Sequence, residues 1–271
     1  MSPHEHIKRV RNIVWHHTIA YSRALFVFTN KLEKMKFVIA FFLSALSFSE
    51  VLAEGGWPDG QYCLPMPANQ RCPIDWVKGY RYHDTQDFPA HNGYFNKRNG
   101  HVPHLSVFGR NLGWGFCCKV KTSYPIVQTS WPKGNYCIFR KGRVCPDGFD
   151  AGSIFWDDED DNNQNSVNGT IPDGYYGRNT KVRFCCREDG TEPLTDLPSG
   201  ETFMLMRRKG SCPSVASYRR AYSGYLYWDT EHTRNVDEKL GVYPDGESKC
   251  GSGVTIEFCT YKTNQVMNRR L

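Results

Sequence analysis

Long apolar runs are scarce in this chain of 271 residues. The one such stretch, 37–48 (FVIAFFLSALSF), would cover about 18 Å as a helix, short of a hydrocarbon core of roughly 30 Å. A basic excess is missing too. Setting aside the seven basic and three acidic residues of 1–53 leaves 27 basic against 25 acidic, so bulk electrostatics exclude a nucleic-acid binder. No amphipathic helical period runs after residue 54, which excludes bundles and coiled coils. Cysteine is absent before Cys63, and His101 and His104 have no helix or cysteine partners for a zinc site. Gly251-Ser252-Gly253 lacks nucleophile-elbow spacing. No acid and base are placed across one cleft, so the chain reads as a non-enzyme.

What is present begins with an address. Lys34 and Lys36 precede the apolar run and Val51-Leu52-Ala53 follows it, the layout of a secretory signal over 35–53 with cleavage after Ala53. Residues 1–34 read as an upstream extension or a mispredicted start, Met35-Lys36 being the more ordinary one. The alternative is a signal anchor. The mature chain is expected to be secreted, without stable membrane insertion.

Eleven cysteines follow, as in an oxidising compartment, and they sit in a pattern that repeats. Trp57-Pro58-Asp59-Gly60-Gln61-Tyr62-Cys63 returns as Trp131-Pro132-Lys133-Gly134-Asn135-Tyr136-Cys137, and more faintly as Leu197-Pro198-Ser199-Gly200-Glu201-Thr202-Phe203. Each copy continues through a Cys-Pro, an aromatic strand that starts on Gly79, Gly152 or Gly224 and ends on Asp84, Asp157 or Asp229, and a closing Phe-Cys. The copies span 57–118, 131–186 and 197–260, inside a domain over 54–262 with a tail at 263–271. A near-constant period with matched positions marks true repeats.

The third copy has Phe203 where the others have Cys63 and Cys137, and Thr260 where they have Cys118 and Cys186. Two cysteines lost together read as one lost bridge. The expected pairs are Cys63–Cys118, Cys137–Cys186, Cys72–Cys117, Cys145–Cys185 and Cys212–Cys259. Adjacent cysteines on a strand face opposite ways and can serve different partners. Cys250 is left over, as a free thiol, an intermolecular bridge or a sign of different pairing. Alternating aromatic and β-branched residues between Pro-Asp-Gly turns predict an all-β, disulfide-rich fold. Short joins between copies predict one body, pseudo-threefold and prism- or trefoil-like.

The order and spacing of WPKGNYC (131–137), CPDGF (145–149), GSIFWDDEDDNNQNS (152–166), PDGYYGRNT (172–180) and FCCR (184–187) resemble the C-terminal domain of apextrin, the ApeC domain, as a single-domain secreted member. The resemblance implies binding of bacterial cell-wall peptidoglycan in innate defence or, alternatively, a structural role in an apical extracellular matrix. It implies no enzymatic activity; no cofactor is expected apart from the candidate calcium below. Partners would be cell-wall glycopeptide, with its muramyl groups, or extracellular glycans.

Candidate ligand residues are His83, Trp156 and Trp228, which fall at one position of the three copies. Beside Asp157 and Asp229 they could stack on sugar rings; the alternative is core packing. Arg178 is a candidate fork for a ligand carboxylate, with Arg183, Arg219 and Arg220 also available. The acidic run from Asp157 offers Asp157, Asp158 and Asp160 as candidate calcium ligands; the alternative is an Asx-turn. Asn168-Gly169-Thr170 is a glycosylation sequon on an exposed loop.

Overall fold

Fourteen strands and no helix account for the regular structure of the computed structural model, which describes residues 56–262 apart from 87–90, 96–98, 109, 122–128, 191, 196, 199 and 248–252. The segment 35–53 read as a signal, the stretch before it, the tail and Cys250 lie outside the described residues.

The first copy holds β1 (Tyr62–Pro65), β2 (Val77–His83), β3 (Gly93–Phe95), β4 (Leu105–Phe108) and β5 (Asn111–Lys119). The second holds β6 (Asn135–Arg140), β7 (Asp150–Trp156), β8 (Ser166–Gly169), β9 (Gly174–Tyr176) and β10 (Thr180–Glu188). The third holds β11 (Phe203–Arg207), β12 (Ala221–Trp228), β13 (Glu238–Gly241) and β14 (Val254–Tyr261). In every copy the last strand lies antiparallel between the first and second: β5 between β1 and β2, β10 between β6 and β7, β14 between β11 and β12. The first strands join the copies, β1 to β6 and β6 to β11.

Each copy also lends one strand away. β8 of the second pairs with β2 of the first, β13 of the third with β7 of the second, and β3 of the first with β12 of the third. The exchange closes on itself, so no copy completes its sheet alone. The repeated glycine follows from this exchange. A Cβ on Gly79 would stand 1.8 Å from Thr170 O, on Gly152 2.0 Å from Val242 O, and on Gly224 2.2 Å from His101 O. Only glycine lets the incoming backbone approach that closely.

The five bridges formed are Cys63–Cys118, Cys72–Cys117, Cys137–Cys186, Cys145–Cys185 and Cys212–Cys259, all within copies. They close loops of 40 to 55 residues, each stabilising by about 4 kcal/mol in the chain-entropy model. Cys118 and Cys186 face one core cluster with Trp114, Trp156 and Trp228, while Cys185 and Cys259 face the other with Tyr62, Tyr136 and Phe203. That separation is the two-faced geometry of a strand.

The register corrects the alignment of the third copy. Cys63 stands opposite Cys118 and Cys137 opposite Cys186, but Thr260 stands opposite Met204, and Phe203 opposite Tyr261. Met204 therefore occupies the vacated cysteine position, and Phe203 corresponds to Tyr62 and Tyr136. One extra residue between Pro198 and Phe203 hides this in the sequence.

Candidate functional site

The residues proposed as sugar platforms are interior. His83, Trp156 and Trp228 have no exposed surface, and their rings meet one another at 5.5, 5.6 and 5.7 Å between centroids. Trp114 caps the group, 4.8 Å from Trp228. No ligand reaches these faces, so the stacking role is corrected to core packing. The reason is the period of two: the last residue of the aromatic strand points inward with Arg81, Ile154 and Leu226, all buried.

The aspartates that follow tie the copies together. The backbone N–H of Asp84 donates to Asn165 Oδ1 (2.7 Å), that of Asp157 to Asp237 Oδ1 (2.8 Å) and that of Asp229 to Asn92 Oδ1 (2.8 Å). In return their carboxylates accept from the backbone N–H of Gln164, Val236 and His91. Each pair joins two different copies, the same two that share a lent strand. Asp157 and Asp229 are thus committed to the protein.

Asp158 is more deeply committed. Its carboxylate accepts from Arg81 Nη2 (3.3 Å), His83 Nδ1 (3.0 Å), Asn165 Nδ2 (2.9 Å) and the Thr180 hydroxyl. Arg81 donates further to Thr180 Oγ1 and Gly177 O. Trp114 Nε1 donates to His83 Nε2 at 3.1 Å, which leaves the His83 proton on Nδ1 for Asp158. Burial holds the His83 imidazole below its ordinary pKa, against the opposing pull of Asp158, so the ring is neutral.

Asp160, by contrast, forms an exposed pair with Arg178 (2.6 Å). Arg178 is thereby committed to a neighbouring carboxylate. Glu159 accepts from the N–H groups of Asp160 and Asp161. The candidate calcium ligands Asp157, Asp158 and Asp160 serve three different sets of partners and do not converge; among the described residues no trio of metal-ligating side chains does. Burial, then the surrounding Asp160, Asp157, Glu159 and Asp161, raises the Glu231 pKa.

The same strands present other aromatics outward. In the first copy Tyr80 and Tyr82 line an open cavity of about 460 Å³ with Ser106, Gln164, Ser166 and Asn168. In the second, Phe155 occupies the place of Tyr82, and with Tyr175, Lys181, Val236, Asp237 and Glu238 it lines an open cavity of about 600 Å³. In the third, Phe95 stacks on Tyr225 (5.8 Å, 12°) and Tyr227 is buried, which closes that face. A further cavity of about 640 Å³ beside Cys145 includes Trp131, but Trp131 is only 3% exposed and offers no ring face. The outward rings lie one residue from the expected ones, a position the alternation makes available but does not choose. Tyr175 and Lys181 join through β9 and β10, and only pairing reveals them.

A family model described as the C-terminal domain of apextrin, ApeC, matches residues 57–261. No curated protein and no solved structure matches the chain.

Proposed function

The chain belongs to the ApeC family, the C-terminal domain of apextrin, and on that premise we propose that it is an extracellular, non-catalytic recognition protein for bacterial cell-wall glycopeptide. Five bridges suit an extracellular setting. The observation that carries the binding reading is the second copy's outward cavity, where Phe155 and Tyr175 stand beside Lys181. A pyranose needs an apolar ring face for its C–H groups, and the stem peptide of a muropeptide brings carboxylates that an ammonium attracts. Among the described residues Lys181 pairs loosely with Glu238 at 4.0 Å, itself half-exposed, so a ligand carboxylate can take the ammonium over at little cost.

Retention on insoluble peptidoglycan, with and without a soluble muramyl peptide as competitor, tests this. Tyr175→Ala is expected to weaken retention about tenfold, the loss of one stacking contact of about 1.4 kcal/mol. Absence of retention at physiological salt, or equal retention by the variant, overturns the reading. Turbid peptidoglycan suspensions are expected to remain turbid, since the half-buried carboxylate of the cavity, Asp237, is committed to the Asp157 N–H, the Thr230 hydroxyl and the Gly253 N–H.

A further inference from the structure

The three copies carry different residue pairs at one register position of the lent strands. Along the lent strands, Tyr80 stands opposite Asn168, Ser153 opposite Leu240, and Tyr225 opposite Phe95. In the third copy the lent residue is itself a ring, and it lies flat on its partner. In the first copy the lent residue is Asn168, exposed and the acceptor of the sequon Asn168-Gly169-Thr170. Directly opposed side chains on an antiparallel pair have Cβ atoms about 5 Å apart. A sugar joined to Asn168 Nδ2 therefore starts within reach of the Tyr80 ring, in a cavity of about 460 Å³ that Ser106, Gln164 and Ser166 also line. The Tyr80 ring meets His104 edge-on at 5.8 Å, 81°. The sequon backbone is held as well: Thr170 N–H donates to Lys78 O at 2.9 Å, and Gly169 has φ +70° with no room for a Cβ against that carbonyl.

We propose that Asn168 is N-glycosylated and that its first N-acetylglucosamine lies on Tyr80, so that the chain's own glycan fills the first copy's cavity. The modification joins Asn168 Nδ2 to the anomeric carbon of a pyrophosphate-linked oligosaccharide donor. The bond from that carbon to the pyrophosphate oxygen breaks, its electron pair leaves on the pyrophosphate, and the amide nitrogen gives up one proton. The sugar takes the place Phe95 takes in the third copy. Of the two cavities that these outward rings line among the described residues, the second copy's is then the one left free. The inference stands without the glycopeptide reading, which is tested at Tyr175 in a different copy.

The chain secreted from a eukaryotic host provides the test. Glycopeptide mass spectrometry is expected to find N-acetylglucosamine on Asn168. After trimming to a single sugar, the protein is expected to melt about 2–4 °C above the unglycosylated Thr170→Ala variant. The difference should vanish in a Tyr80→Ala background and persist with Tyr80→Phe. Tyr80→Leu, which keeps apolar bulk without a flat face, replaces the alanine variant if that is not secreted. An unmodified Asn168, or a difference of the same size without the Tyr80 ring, overturns the proposal.

Discussion

Replacing Asp158 with alanine would remove the shared acceptor of Arg81, His83, Asn165 and Thr180. Arg81 is 1% exposed and Asp158 fully buried, so truncation leaves a guanidinium in the interior without its counter-charge. Breaking a buried pair in this way costs about 3–5 kcal/mol, out of a total domain stability of about 5–15 kcal/mol. At about 2–4 °C per kcal/mol for a domain of this size, Tm should fall by about 6–20 °C. Asp160→Ala, two residues along the same acidic run, removes only the exposed pair with Arg178 and should cost about 0.2–1 kcal/mol. Differential scanning calorimetry of both variants with disulfides intact, in chelator and in calcium, compares them. Equal losses in the two variants would refute the reasoning. So would a calcium-induced rise in Tm that disappears with Asp158, since that carboxylate would then be serving a cation rather than Arg81.

Two further outcomes follow from register and titration. Met204→Cys with Thr260→Cys should restore the missing bridge, seen as loss of both titratable thiols and a gain of up to about 4 kcal/mol; Phe203→Cys with Thr260→Cys should leave both thiols free, because Phe203 faces Tyr261. Stability should fall as pH drops below about 6.5: the unfolded chain takes up a proton on His83 near its ordinary value, while the buried ring stays neutral with its pKa lowered by burial. His101 and His104 are shifted the same way by burial, whereas Glu231 and Asp237, raised by burial, act with the opposite sign above the ordinary carboxylate range. Urea midpoints measured between about pH 5 and 7.5 should therefore decline on acidification, less steeply in His83→Gln; a flat profile would contradict the assignment.

The repeats and the bridges were legible because both are written as residue identities at fixed spacing. A cysteine lost from one strand removes the use of its partner, so paired losses betray pairs even without coordinates. The acidic run was legible as a feature but not as a role. Asp158 and Asp160 are the same residue type two positions apart, yet one is sealed against Arg81 and His83 while the other meets solvent. Composition cannot separate them, because Arg81 and His83, which seal Asp158, come from β2 of another copy.

Alternation along GYRYHD, GSIFWD and GYLYWD establishes two faces, and sequence alone determined that much, along with the all-β class and the covalent framework. Which face is inside was decided by tertiary structure. A strand's side chains alternate with period two whichever way it is turned, so choosing Phe155 over Trp156 as the outward ring depends on where the lent strands and the central aromatic cluster lie. The exchange of β3, β8 and β13 is a non-local pairing of short segments whose local signals match any edge strand. Its energy comes from burying the rings of three copies against one another, a sum that no single copy contains.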